Sequence, residues 1–141
     1  MHSFRKGLSS FRKDKAAAPA PSAPTLTSVD ETGSAVPLPS LPSKVLISNR
    51  GEIAVRLMKT ARRLGIPTVA IYTTADIGSS HVKAADQYFE VPSYLDEEAI
   101  VAVAKTAGCT AVIPGYGFIS ESRSFAEACD AEGIAFCGPI I

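Results

Sequence analysis

From Lys44 onward, short apolar runs alternate with longer stretches in which apolar residues recur every three or four positions. Val45-Leu46-Ile47 reads as a buried strand. Gly51 then turns the chain into a helix from about Glu52 to Leu64, with Ile53, Ala54, Leu57, Met58, Ala61 and Leu64 on one face. Arg56, Lys59, Arg62 and Arg63 lie largely off that face, and Gly65 is a natural C-cap with Pro67 soon after. Thr68-Val69-Ala70-Ile71-Tyr72 forms a second strand. A polar turn through Thr73 to Ser80 leads to a short helix around His81–Ala85 and a short strand from Gln87 to Val91. Asp96 N-caps a helix to Ala107, and Gly108 stops it. Ala111-Val112-Ile113 is the fourth strand. Ser120 is the expected N-cap of a helix to about Glu132, and Ile134-Ala135-Phe136-Cys137 is the fifth strand.

Apolar strands alternating with amphipathic helices predict parallel strands joined by right-handed crossovers. The expected fold class is α/β: a small, doubly wound, Rossmann-like parallel sheet with helices on both faces. The first 43 residues differ. Pro19, Pro21 and Pro24 sit among alanines and serines, and Pro37, Pro39 and Pro42 follow. Proline removes backbone donors and fixes φ, so this composition predicts a disordered extension over 1–43 and a folded domain over 44–141.

Charge refines the division. The 14 basic and 14 acidic residues cancel overall, which gives no footprint of nucleic acid. Residues 1–43 hold five basic and three acidic side chains, and residues 44–141 nine and eleven. The start, with Arg5, Lys6, Arg12 and Lys13 beside Phe4, Leu8 and Phe11, would make a basic amphipathic helix of the presequence kind. The plainer reading is an ordinary solvated tail, because Lys is as frequent as Arg and Asp14 follows closely. The location is therefore expected to be intracellular, in cytoplasm or mitochondrial matrix. No run approaches the roughly 20 apolar residues that span a bilayer. Cys109, Cys129 and Cys137 have no metal-site spacing and read as small buried apolar residues.

In a doubly wound sheet the chemistry sits in the loops after the carboxyl ends of the strands. Two such loops are informative. Ser48-Asn49-Arg50-Gly51-Glu52 follows the first strand. It is no dinucleotide fingerprint, because only Gly51 is present where three glycines are needed. Asn49, Arg50, Gly51 and Glu52 remain candidates for a turn or anion site at the helix N-terminus. Asp76 lies past the second strand, where dinucleotide-binding folds keep an acid for a ribose; without the glycines, NAD is not expected. The second loop is Pro114-Gly115-Tyr116-Gly117-Phe118-Ile119-Ser120-Glu121-Ser122. Its glycines bring backbone close to a neighbour, Tyr116 offers a hydroxyl, and Glu121 in the first helical turn would suit the helix dipole. The plainer alternative is a tight turn with Phe118 tucked into the core. His81 reads as a surface or capping residue, and Tyr94 as a packing residue.

Four segments carry a family resemblance: KVLISNRGEIAVRLMKTARRLGIPTVAIYTTAD at 44–76, HVKAAD at 81–86, AVIPGYGFISES at 111–122 and GIAFCGP at 133–139. In order and spacing they resemble the amino-terminal, pre-ATP-grasp domain of biotin carboxylases. The resemblance covers nearly all of 44–139. It implies a ligase that uses ATP and bicarbonate to form carboxyphosphate and then carboxylates biotin, with two magnesium ions on the phosphates. The nucleotide and metals would belong mainly to an ATP-grasp domain that follows. Tyr116, Gly117, Phe118 and Glu121 would then stand on the active-site rim, and Arg56 in a homodimer contact through the first helix. The implied partners are an ATP-grasp domain and a biotin carrier domain.

The sequence departs from the family pattern in four places. Ile113 replaces a histidine and Ser122 an asparagine, both expected to take polar groups from the loop. The connection through Glu90-Val91-Pro92-Ser93-Tyr94 lacks a Gly-Pro-rich insert. The chain stops at Ile141 without an ATP-grasp domain, so alone it is expected to be an incomplete enzyme with no catalytic set, no metal site and no tightly bound cofactor. The alternative is a non-catalytic regulatory module that pairs with a full carboxylase through Arg56, Lys59, Arg62 and Arg63.

Overall fold

The structure, a computed structural model, describes residues 27–29, 31–33, 35–37 and 40–139. The basic start at 1–13 lies outside the described residues. Within the proline-rich segment, β1 (Thr27–Val29) and β2 (Ala35–Pro37) pair as an antiparallel hairpin. The proline pattern did not indicate it: the strands lie between the prolines, and Pro37 falls at the end of its strand, where a missing donor is tolerated.

The folded unit is a five-stranded, all-parallel sheet in the order β5-β4-β3-β6-β7. Its strands are β3 (Val45–Ile47), β4 (Thr68–Tyr72), β5 (Gln87–Glu90), β6 (Ala111–Ile113) and β7 (Ala135–Phe136). The helices are α1 (Gly51–Arg63), α2 (Ser80–Ala84), α3 (Glu97–Thr106) and α4 (Arg123–Ala131), with a 3-10 turn at Thr74–Asp76. The expected doubly wound α/β fold is therefore what the chain adopts.

The central strand explains itself. Val45, Leu46 and Ile47 are all fully buried. Val45 and Ile47 pack with Ala54, Met58 and Ala61 of α1, whereas Leu46 packs with residues of α3 and α4, including Ile100, Ala104, Phe125 and Cys129. A strand covered on both faces needs an unbroken apolar run rather than alternation. The wrap reverses at β3, so β3 and β6 flank the switch point, the crevice where such folds usually bind ligands.

All three long helices end in one device. The amide of Ile66 donates to Ala61 O, that of Cys109 to Ala104 O and that of Ile134 to Cys129 O, each with a glycine just before it. These are Schellman turns, which close the last carbonyls and send the residue after the glycine into the core. This corrects one expectation. Leu64 is exposed, because the turn inserts Ile66 in its place.

Two further differences concern α4. Its N-cap is Ser122, whose hydroxyl accepts from the Phe125 amide at 3.2 Å. Ser120 lies within preceding turns, its own amide bonded to Gly117 O. Glu121 consequently stands before the helix, exposed, and not in its first turn. Cys109 and Cys129 are buried as expected, but Cys137 is exposed, one residue past the short edge strand β7.

Candidate active-site rim

The crevice between β3 and β6 is closed by the protein itself. Asn49, at the end of β3, is almost fully buried. Its amide nitrogen donates to Pro114 O at 2.7 Å and Tyr116 O at 2.8 Å, and its oxygen accepts from the Arg50 amide at 2.8 Å. Two carbonyl partners fix which end of the amide is nitrogen. The two loops singled out from the sequence are thus one structure. Gly115 shows how close they come. It has φ of 70°, and a Cβ there would sit 3.0 Å from Ile53 Cγ2 of α1. Both facts select glycine.

Beyond Asn49, the loops after β3, β4 and β5 converge on a polar cluster. Arg50 forks onto Asp76, its Nε donating to Oδ2 at 2.7 Å and its Nη2 to Oδ1. Tyr94 donates its hydroxyl to the same Oδ2 at 2.7 Å. Asp76 is buried, and the guanidinium fork holds its carboxyl down at about 2. Burial, together with the Asp76 carboxylate, pushes the Tyr94 hydroxyl above its ordinary range, so it stays a donor.

His81 completes the cluster and is 0% exposed. The Gly51 amide donates to its Nδ1 at 3.3 Å, and the Ser79 hydroxyl lies 2.9 Å from the same nitrogen. Nε2 stands 3.1 Å from Ile71 O. An amide can only donate and a carbonyl can only accept, so the proton is on Nε2 and the ring is neutral. Burial lowers its pKa, in keeping with that assignment. His81 is therefore no surface residue: it ties the first amide of α1 to the end of β4. Asp86, five residues on, does the matching work at the other end of β4, accepting from the Thr68 amide at 2.8 Å and hydroxyl at 2.9 Å.

The loop after β6 projects outward. Tyr116 is 67% exposed and Phe118 46% exposed, so Phe118 is not tucked into the core. Phe118 has φ of 47°, the only non-glycine positive φ among the described residues. Its ring stacks on Tyr94 with centroids 5.1 Å apart and planes at 26°. Ile77 and Leu95, each next in sequence to a member of the polar cluster, are also exposed.

Residues 42–141 match the family described as biotin carboxylase, N-terminal domain. The chain belongs to that family. Over 102 residues, 68% of this chain, the domain is 56% identical to the mitochondrial methylcrotonoyl-CoA carboxylase subunit alpha of Oryza sativa subsp. japonica. It is 53% identical, over 68% of the chain, to the biotin carboxylase of Halalkalibacterium halodurans. It spans 14% of the rice subunit and 23% of the bacterial enzyme. Among solved structures it is similar to the biotin carboxylase domain dimer of Hydrogenobacter thermophilus 2-oxoglutarate carboxylase, in complex with MgADP, ADP and bicarbonate. That match has a TM-score of 0.69 and 43% identity, over 71% of this chain and 23% of the other. Kluyveromyces lactis urea carboxylase is similar too, with a TM-score of 0.68 and 47% identity over 70% of this chain and 9% of the other.

Against that background the departures from the family pattern take on structural meaning. Ile113 is half-buried and packs with the α1-side core, so a polar position has become a packing one. Ser122 keeps a polar role: it caps α4 and donates to Glu97 of α3. Serine and asparagine are near-equivalent N-caps, so this change removes no function from the helix start. The biotin carboxylase N-terminal domain here brings Asn49, Arg50 and Gly51 together with Tyr116, Gly117 and Phe118 at one edge of the sheet. Glu52 is exposed at the start of α1 and Glu121 is exposed near the end of the projecting loop. Arg56 is exposed on α1, away from this edge by its helical position. Sequence reasoning missed Asp76, His81 and Tyr94 as a cluster. The usable signal was the HVKAAD motif, whose histidine and aspartate fasten opposite ends of one strand.

Proposed function

We propose that this domain supplies one wall of a biotin carboxylase active site within a larger biotin-dependent carboxylase. The observation that carries the reading is the Gly115–Phe118 loop. In a chain of this family it is pinned to the end of β3 through Asn49, yet it presents two aromatic side chains outward. A loop that is held at its base and apolar at its tip suits a surface that closes over a substrate or a neighbouring domain.

The division of labour follows from the chemistry of the residues. The crevice that would take a nucleotide in a dinucleotide-binding fold is filled by Asn49. Among the described residues no group of three or more His, Cys, Asp or Glu is placed to hold a metal. The proposal gives phosphate and metal chemistry to an ATP-grasp domain and biotin to a carrier domain. This chain contributes position: Tyr116 brings a hydroxyl, Phe118 and the loop glycines exclude water, and Arg50 holds the loop bases through Asp76 and Tyr94. The choice of acceptor belongs to other parts of the assembly. Exposed Arg56, Lys59 and Arg63 on α1 support a second contact, either a homodimer through that helix or, in the regulatory alternative, pairing with a complete carboxylase. No described helix is long and apolar enough to cross a membrane. The mitochondrial name of the rice relative supports the mitochondrion as one location, and cytoplasm is the other that the proposal keeps.

A domain exchange tests the reading. Residues 44–139 replace the corresponding segment of the Halalkalibacterium halodurans enzyme, and bicarbonate-dependent ATP hydrolysis is measured with free biotin. The expected result is a folded, active chimera. A chimera that folds and binds ATP yet shows no biotin-dependent turnover would overturn the proposal.

A further inference from the structure

We propose that Tyr94 is the positioning residue of the loop after β6, acting through Phe118. The proposal deepens the rim reading and rests on it only for its functional consequence. Phe118 adopts a left-handed backbone conformation that side chains other than glycine rarely keep without a reason. Its neighbours Gly115 and Gly117 also have positive φ, so the loop has little intrinsic preference for one pose. Two attachments restrain it: Asn49 holds the carbonyl of Tyr116, and Tyr94 holds the ring of Phe118.

Tyr94 suits this task because it is itself held at both ends. It is buried, one ring face lies against Phe118, and its hydroxyl is fixed by Asp76, which Arg50 grips in turn. His81 Nε2 lies 3.4 Å from the same hydroxyl. A phenylalanine would pack as well but would leave the far end of the ring untethered. The chain from Arg50 through Asp76 and Tyr94 to Phe118 therefore links the loops after β3, β4, β5 and β6 into one preset surface. Its consequence for the proposed carboxylase is that Tyr116 is delivered in a fixed direction before any partner arrives.

NMR on the 141-residue protein tests this without any assay of turnover. In the native chain, backbone order parameters at Gly115–Phe118 should be near about 0.85, and Phe118 ring protons should be displaced by the Tyr94 ring current. Tyr94→Leu should drop the loop order parameters below about 0.6 and return the Phe118 ring signals to unstacked positions, with Val69 and Val112 unchanged. Tyr94→Phe keeps the buried ring and safeguards folding; it should retain the ring-current shift but lower the order parameters at Gly117 and Phe118 to about 0.7. Loop values that stay native in Tyr94→Phe, or a loss of order spread evenly over core and loop, would overturn the proposal. Such a failure leaves the rim reading standing, and an inactive chimera would leave this positioning role standing.

Discussion

The two ends of the parallel sheet share one backbone and carry different chemistry. At the amino end, Lys44 donates to Ala107 O at 2.8 Å, Asp86 receives the amide and hydroxyl of Thr68, and the Ser43 amide donates to Thr110 Oγ1 at 3.0 Å. Each tie joins neighbouring elements and has no evident further use. At the carboxyl end, the Asp76 carboxylate, a tyrosine hydroxyl and a neutral histidine are buried together, the carboxylate gripped by an exposed Arg50, beside exposed Ile77, Leu95, Tyr116 and Phe118. Both exposed aromatics among the described large hydrophobic residues stand at this end. The amino end is built to hold the fold. The carboxyl end spends polar burial on fixing loops that the fold itself does not need, which is the pattern of a working edge.

Mutations should separate the two ends. The largest expected effect is at His81. His81→Ala empties a buried site and strips Ile71 O and the Gly51 amide of their partner, costing about 3 kcal/mol in urea denaturation. Asp86→Ala at the other end of β4 frees only the Thr68 donors and should cost about 2 kcal/mol. If Asp86→Ala proved the more damaging, His81 would not be the keystone that its burial suggests.

Acidification should act at the carboxyl end in two steps. Burial lowers the pKa of His81 in the folded state, so below the ordinary histidine value of 6.5 the unfolded chain takes up the proton first. Stability should therefore fall as pH drops below that value, and His81→Gln should flatten the slope. Asp76 acts later. Its contribution is complete above the ordinary carboxyl value of 3.8 and is lost as pH falls toward about 2. The gap between native protein and Asp76→Asn should close over that window in acid-denaturation midpoints.

The smallest expected effect on stability is at the tip of the rim. Phe118→Gly removes a stack and at the same time relieves a left-handed residue, so the unfolding free energy should move by no more than about 0.5 kcal/mol. A larger loss would mean that Phe118 belongs to the core.

How far the sequence revealed this arrangement depends on the range of the interaction. The strands were legible because a central strand covered on both faces must be apolar throughout, as Val45-Leu46-Ile47 is. Helix stops were legible from Gly65, Gly108 and Gly133. The same reading missed that Ile66, not Leu64, enters the core, because the Schellman turn is a backbone device. Asp96 was a correct N-cap, since its partner Ala99 lies three residues away. His81 was misread because its partners, Gly51 and Ile71, are brought to it by two different elements. The Arg50–Asp76 fork spans 26 residues and the Tyr94–Asp76 bond 18, distances over which no local pattern operates. The second loop was identified through its glycines, but its junction with Asn49 required the sheet order.

The most direct test of the working-edge account compares the two ends within the chimeric carboxylase. Phe118→Gly, nearly neutral for folding, should lower kcat/KM for biotin carboxylation by about tenfold or more, about 1.4 kcal/mol of lost transition-state stabilisation. Asp86→Asn, which weakens the fold, should leave kcat/KM per folded molecule within about twofold. Equal losses from both substitutions, or a fully active Phe118→Gly chimera, would contradict the assignment of function to the carboxyl edge.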